Sequence, residues 1–283
     1  MEIVRTAIEM RRLVNHWRRS GHTVAVVPTM GALHDGHLTL VRHAMKNCDR
    51  VIVTIFVNPR QFNETSDFEL YPRTETADAV RLTEHGVHAL YAPGIGNMCP
   101  RGFATKVSVE GITEGLCGAF RPGHFDGVAT VVLKLLNQTG ADVAYFGEKD
   151  FQQLQTIRRL VTDLDLPVRI EGVATVREAD GLALSSRNSR LSARQRVIAS
   201  SLAKHMKEAC DRIGDGEDIS SVLSDCKARI IAEGFEKVEY LEVRTEDTLE
   251  KSYDSSTARR LLCAAWLGNV RLIDNFLIPF GRP

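Results

Sequence analysis

The sequence has little of what would direct it to a membrane, to nucleic acid or to an oxidising compartment. No apolar run approaches the roughly 20 residues needed to span a bilayer. The 36 Lys and Arg residues balance 36 Asp and Glu. A neutral total leaves no electrostatic footprint for nucleic acid or an anionic membrane, although a small basic pocket can still sit inside it. The six cysteines (Cys48, Cys99, Cys117, Cys210, Cys226 and Cys263) are scattered, with no C-x-x-C pair. That argues against a disulfide framework or a zinc site, and for idle thiols in a reducing cytoplasm. Residues 1–15 alternate apolar with charged side chains. They read as an amphipathic helix without the apolar centre of a signal peptide. The chain has no internal repeat and no low-complexity tract.

What is present is an ordinary globular balance over 283 residues, 43% hydrophobic and 25% charged. That is enough for one large domain or two smaller ones. The first half alternates strand-like and helix-like segments. Strands are expected at 23–27 (ending at Pro28), 50–57, 89–92, 143–146 and 169–176. Helices are expected at 37–46, 74–85, 128–137 and 151–163. The nearly continuous apolar, β-branched run at 50–57 suits a strand buried on both faces. This rhythm predicts an α/β domain with a Rossmann-like parallel sheet. Near residue 177 the texture changes. Two amphipathic helices (192–210, 219–233), a loop at 214–218, a half-exposed strand at 238–244, an apolar run at 261–267 and the segment 270–276 after it predict a smaller α+β domain. The division is expected between residues 1–176 and 177–283.

The strongest local signal is P-T-M-G-A-L-H-D-G-H-L-T-L, residues 28–40. A strand runs out into a small-residue turn and then a helix. Open parallel sheets bind ligands at the carboxyl ends of their strands, and free N–H groups at a helix start favour anions. His34 and His37 stand three apart and share a helical face, from which two imidazoles could donate to phosphate oxygens. Two surface histidines in a turn, or a metal pair lacking a third ligand at motif spacing, remain alternatives from spacing alone. The strand at 50–57 ends in N-P-R-Q-F, where Asn58 and Gln61 suit a small polar substrate unless this is a plain Asn-Pro turn. The strand at 143–146 ends in G-E-K-D, with Gln152 and Gln153 following. Lys149 there suits phosphate and Asp150 suits a ribose hydroxyl or a metal ion, against a solvated cap with Asp150 as the capping residue. L-C-G-A-F-R-P-G-H-F, 116–125, reads as a loop closing over a site. D-G-L-A-L-S-S-R-N-S-R-L-S, 180–192, reads as a polar interdomain loop whose serines and Arg187 could clamp a triphosphate. These strand ends and the loop converge on one nucleotide cleft.

At this point the sequence resembles the pantoate–β-alanine ligase (pantothenate synthetase) family. The motifs that carry the resemblance are P-T-M-G-A-L-H-D-G-H, F-V-N-P-R-Q-F, Y-P-R-T, R-P-G-H-F-D-G-V, Y-F-G-E-K-D-F-Q-Q-L, D-G-L-A-L-S-S-R-N and R-L-I-D-N. They run in order over nearly the whole chain. A lone H-x-G-H would indicate only the wider superfamily of nucleotidylyltransferases and class I aminoacyl-tRNA synthetases. The resemblance implies that ATP and pantoate give pantoyl adenylate and pyrophosphate, and that β-alanine then gives pantothenate and AMP. It implies Mg2+, a Rossmann-like N-terminal domain, a smaller C-terminal lid domain and a homodimer; the cytoplasmic setting and the absence of nucleic-acid and membrane partners are the expectations drawn above from thiols, charge and hydropathy.

Residue by residue, it implies an ATP site lined by Met30, Gly31, Ala32, Leu33, His34, Asp35, Gly36 and His37, with His37 as proton donor. Gly147, Glu148, Lys149 and Asp150 would hold ATP, and Val176, Leu184, Ser185, Ser186 and Arg187 would complete that site. Gln61 and Gln153 would hold pantoate, with Gln61 also touching β-alanine. His34, His37, Lys149 and Arg187 would be catalytic, and Asp150 is the candidate metal ligand. Two positions depart from the family pattern: Cys99 where tyrosine is frequent, and Ala174 where proline is common. Alternatives of other kinds are a nucleotidylyltransferase that stops at an adenylylated product and a nucleotide-binding regulatory module. The Gln61 and Gln153 pair, superfluous in a pure ATP sensor, speaks against the latter. A tRNA synthetase is disfavoured by the short chain and absent basic charge.

Overall fold

The computed structural model of the chain describes residues 1–63 and 68–280. Six strands, β1 (Glu2–Val4), β2 (Val24–Thr29), β3 (Arg50–Ile55), β4 (Ala89–Tyr91), β5 (Val143–Gly147) and β6 (Arg169–Val173), form one sheet in the order β1-β4-β3-β2-β5-β6. Every pair in it is parallel. The Rossmann-like expectation therefore holds. The helices between the strands are α1 (Ala7–Arg19), α2 (Asp35–Asn47), α3 (Glu75–Glu84), α4 (His124–Thr139) and α5 (Phe151–Asp163), with single turns at Ile95–Met98 and Cys117–Phe120. Alternate strand residues serve opposite faces, as the pleat requires. Val24, Val26, Ile52 and Ala144 face α1, α4 and α5. Ala25, Val27, Val51 and Val53 face α2.

Several boundaries differ from the sequence reading, each for a local reason. The first residues include the edge strand β1, which pairs with β4; α1 starts only at the capping box of Thr6 and Glu9. β2 does not end at Pro28 but continues to Thr29. Pro28 is tolerated because the β2–β5 ladder pairs only Ala25 with Val143 and Val26 with Ala144, so no N–H is required of it on that side. β3 stops at Ile55 and β6 at Val173, both short of expectation. α4 begins at His124, inside the segment read as a loop, because left-handed Gly123 turns the chain into the helix.

The second half comprises α6 (Ala193–Gly214), α7 (Ile219–Ala232) and strands β7 (Lys237–Thr245), β8 (Arg259–Leu267) and β9 (Val270–Ile278). These strands form a separate antiparallel sheet, β7-β8-β9. One of its faces (Val243, Leu261, Cys263, Leu272) packs on α6 and α7. The other (Tyr240, Leu262, Ala264, with Ile273 against them) joins the core of the parallel sheet. Among the described residues no helix is long and apolar enough to cross a membrane.

Candidate active site

In the strand order the chain proceeds from β2 outward through β3 and β4, and from β5 outward to β6. The boundary between β2 and β5 is thus the topological switch point, where open α/β sheets hold ligands. A cavity opens there, at the carboxyl ends of both strands. It is lined by Met30, His34, Gly36, His37, Gln61, Gly147, Lys149, Asp150, Gln153, Val176, Leu184, Ser185, Ser186 and Arg187. One cleft therefore gathers the three strand ends and the 180–192 loop. Of the residues expected at the ATP site, Gly31, Ala32, Leu33, Asp35 and Glu148 are not among those lining it.

Those residues have other work. Gly31 and Ala32 are both left-handed, with φ of 81° and 51°. For alanine this costs of order 1 kcal/mol and persists only where surroundings fix it. Buried Asp78 on α3 supplies the fixing. Its carboxylate accepts from the N–H groups of Ala32 and Leu33, each at 2.9 Å, and from the Thr74 hydroxyl at 3.0 Å. Arg81 donates to the Leu33 carbonyl. Asp78 carried no local signal, since it sits 46 residues from the turn it holds.

The two histidines are set by the start of α2. His34 is the capping residue, and its Nδ1 accepts from the Gly36 N–H at 3.2 Å. His37 Nδ1 accepts from the His34 N–H at 3.4 Å. An imidazole nitrogen that accepts cannot carry the proton, so in both neutral rings the proton lies on Nε2. The rings lie 4.1 Å apart between centroids. Burial, then the neighbouring His34 and Lys149, push His37 down to about 3. Burial and Lys149 also lower His34. Both rings are therefore neutral Nε2–H donors near pH 7.

On the β3 side, buried Asn58 lines the cavity, with its amide engaged in holding the turn. Its Nδ2 donates to Gln61 Oε1 at 2.9 Å and to the Gly127 carbonyl at 3.0 Å. Gln61 Nε2 reaches Met30 Sδ at 3.1 Å. The Gln61 amide is thus oriented with its donor end on the Met30 side. Helix α4 meets this turn so closely that a Cβ on Gly127 would lie 2.2 Å from the Arg60 carbonyl. Arg121 and His124 Nδ1 both donate to the Gln61 carbonyl, at 3.0 and 2.8 Å. Arg121 and His124, from the segment 116–125 expected to close over a site, line the cavity, as do Tyr71, which the sequence reading gives no part, and Ala174, one of the two departures from the family pattern.

On the β5 side, Lys149 Nζ stands 3.8 Å from Asp150 Oδ2. Desolvation within the cleft opposes charge on Asp150, whose side chain is nonetheless half exposed, yet Lys149 and Arg187 outweigh it and hold its carboxyl below the ordinary value. Val176 meets Leu184 through a backbone bond of 2.9 Å. Ser185 Oγ accepts from the Arg187 N–H at 3.2 Å, which starts the turn Ser186–Arg190. Gln152 lies outside the cavity lining; it binds the Cys117 N–H and the carbonyls of Ile112 and Gly115. Among the described residues no group of three His, Cys, Asp or Glu is placed to hold a metal ion.

His124 yields a stability prediction. Burial, then Arg121, push it down to about 3 from an ordinary 6.5. Between those values the unfolded chain binds a proton that the folded chain refuses. Stability should be insensitive to this group at neutral pH, and should fall as pH drops from 6.5 toward 3. The urea midpoint should track this. His124→Asn should reduce the slope by about one proton, or about 1.4 kcal/mol per pH unit. An unchanged slope would clear His124 of the effect.

The model of the family described as Pantoate-beta-alanine ligase matches residues 2–277. The pantothenate synthetase of Chelativorans sp. (strain BNC1) is 58% identical over 281 residues, 99% of this chain and 98% of that protein. That of Roseobacter denitrificans (strain ATCC 33942 / OCh 114) is 51% identical over 280 residues, 99% of both. The crystal structure of pantothenate synthetase from Thermus thermophilus superposes with a TM-score of 0.93 at 42% identity, over 99% of this chain and 100% of that one. The pantoate-beta-alanine ligase of Francisella tularensis, complexed with beta-gamma ATP and beta-alanine, gives a TM-score of 0.84 at 35% identity, over 98% of this chain and 97% of that one.

Proposed function

The chain belongs to the pantoate-beta-alanine ligase family, and from that premise we propose how its cleft divides the work of joining pantoate to β-alanine with ATP. The observation that carries the reading is one cavity whose lining holds two chemically distinct sets of side chains. His34, His37, Lys149, Arg187, Ser185 and Ser186 are hydrogen-bond donors or cations suited to phosphate oxygens. These make the triphosphate half. Gln61 and Gln153 line the same cavity together with apolar Phe56, Val128, Val131 and Val132. This half suits a small hydroxy acid with a branched apolar body, as pantoate is.

Pantoate's carboxylate is a poor electrophile, since attack on it would have to expel oxide. Adenylation turns that oxygen into a leaving group. The carboxylate attacks the α-phosphorus, the bond to the bridging oxygen breaks, and pyrophosphate departs with the electron pair. Two anions must approach, so preorganised donors carry the step. Lys149 and Arg187 supply fixed positive charge. The neutral Nε2–H groups of His34 and His37 supply directed hydrogen bonds, and the triphosphate's own charge raises their basicity once it is bound. Ser185 and Ser186 act as donors rather than nucleophiles. The resemblance also implies Mg2+, and the donor set fits it. Asp150 is the one acid among the described lining residues, and Mg2+ is usually held by one or two carboxylates together with substrate phosphates. Asp150 would hold the ion, which when bound neutralises phosphate charge.

The second step needs β-alanine as a neutral amine. Deprotonating an alkyl-ammonium of pKa ~10.4 at pH 7 costs roughly 4.6 kcal/mol. Orientation beside the adenylate contributes roughly 7–11 kcal/mol, so no dedicated strong base is required. The amine attacks the acyl carbon, AMP leaves, and the amide of pantothenate forms. Keeping water from the adenylate gives residues 177–283 their role as a lid over a catalytic domain of residues 1–176. A cytoplasmic homodimer completes the reading.

The decisive assay is AMP release that requires ATP, pantoate and β-alanine together; multiple-turnover release of pyrophosphate and adenylate without β-alanine would point instead to a nucleotidylyltransferase. In the same assay Gln61→Ala should raise the pantoate KM about tenfold or more and the ATP KM far less. Equal effects on both would take Gln61 out of the pantoate half.

A further inference from the structure

The motif R-L-I-D-N, residues 271–275, lies on β9 and has no part in the chemistry above. Asn275 is 4% exposed, on the sheet face turned to the parallel domain. Its Nδ2 donates to the carbonyls of Glu148 and Lys149, at 2.9 and 3.0 Å. Its Oδ1 accepts from Arg260 Nη1 at 2.6 Å. Arg260 can only donate and carbonyls can only accept, so chemistry fixes the orientation of this amide. Arg260 is itself locked, ion-paired with Glu246 and stacked 3.9 Å over the ring of Phe151, the first residue of α5. The neighbouring Asp274 grips Arg177 through two bonds of 2.7 and 2.8 Å and accepts the Asn275 N–H at 2.7 Å. Asp274 and Asn275 thus tie together the two segments that bring Lys149 and Arg187 to the cleft.

The consequence is directional. A trans peptide holds its N–H opposite its C=O. With the carbonyls of Glu148 and Lys149 turned to Asn275, the N–H groups of Lys149 and Asp150 are turned away from the antiparallel sheet. We propose that Asn275, held by Arg260, is a positioning residue for adenylation. It sets the backbone of residues 148–150, and so aims Lys149 and the adjacent N–H groups at the triphosphate. The inference rests on the reading of Lys149 as a phosphate ligand. It also explains why the Glu148 side chain points to Arg260, at 3.7 Å, and not into the cavity.

The test uses full-length Asn275→Leu, which removes both donors at similar volume, and Asn275→Asp, which sets acceptors against two carbonyls. Each should slow single-turnover adenylate formation and raise the ATP KM, roughly ten- to a hundredfold for two lost hydrogen bonds. The pantoate KM should stay within about twofold, and Asn275→Ser, with one donor, should recover part of the loss. Adenylation unchanged in a folded variant overturns the proposal. So do ATP and pantoate KM values that rise together, or loss of folded protein in all three, since either marks a purely structural residue. Lys149→Ala, run in parallel, separates the two levels. If it is impaired while the Asn275 variants behave as wild type, this inference alone fails. If it is unimpaired, the phosphate reading fails and takes this inference with it.

Discussion

His37→Ala should slow formation of pantoyl adenylate by about two to three orders of magnitude, as loss of one transition-state donor does. The expectation depends on the form of the ring. His37 Nδ1 is engaged by the His34 N–H, and burial pushes the ring down to about 3. It therefore meets ATP neutral, with a donor already aimed from Nε2. Such a donor strengthens as charge builds on the departing pyrophosphate, and needs no reorganisation at that moment. The loss should therefore fall on kcat more than on the ATP KM. Rapid-quench measurement with β-alanine withheld isolates the step. A wild-type burst of adenylate in this variant would remove His37 from the chemistry. His37→Gln, whose amide can still donate, should be the milder change.

The second large effect is expected at Lys149. Lys149→Ala should lower kcat/KM for ATP by about three orders of magnitude, at the strong end of single-donor losses. More than one charge is lost, because Lys149 leads the cations that hold the Asp150 carboxyl below its ordinary value. Without it, Asp150 faces the triphosphate with its charge less well compensated. The ATP KM should therefore rise as well as kcat fall, whereas at His37 the loss falls mainly on kcat. Steady-state kinetics with pantoate saturating reads both values. A pantoate KM that rises as much as the ATP KM would place Lys149 elsewhere.

How much of this was legible beforehand follows from the range of each interaction. The ends of β2, β3 and β5 could be read because each is a buried apolar run closed by a short polar motif. His34, His37, Gln61 and Lys149 sit in such motifs and, with Arg187 of the 180–192 loop, meet in one cavity. Strand β1 was hidden because its three residues blend into the amphipathic pattern of α1. The tasks of Asp78 and His124 were missed because their partners lie far along the chain: the turn at Ala32 for one, the Gln61 carbonyl for the other. Asn275 stood in a recognised motif, yet its task depends on carbonyls 127 and 126 residues away. Asn58 shows the converse: its position was correctly singled out, but its amide is used up in holding Gln61 and Gly127.

The antiparallel sheet spends both of its faces, one on its own helices and one on the core of the parallel domain. A cover that merely swings would be exchangeable, and could be grafted, trimmed or swapped between relatives like a separate part. The antiparallel sheet is not a separate part in that sense, because Leu262, Ala264 and Tyr240 share one buried core with Val128 and Phe146. Severing the chain at the junction would leave an oily wound on both pieces. Selection on either half is therefore selection on the seam, and recombination between homologues should be tolerated only where both sides of that seam travel together.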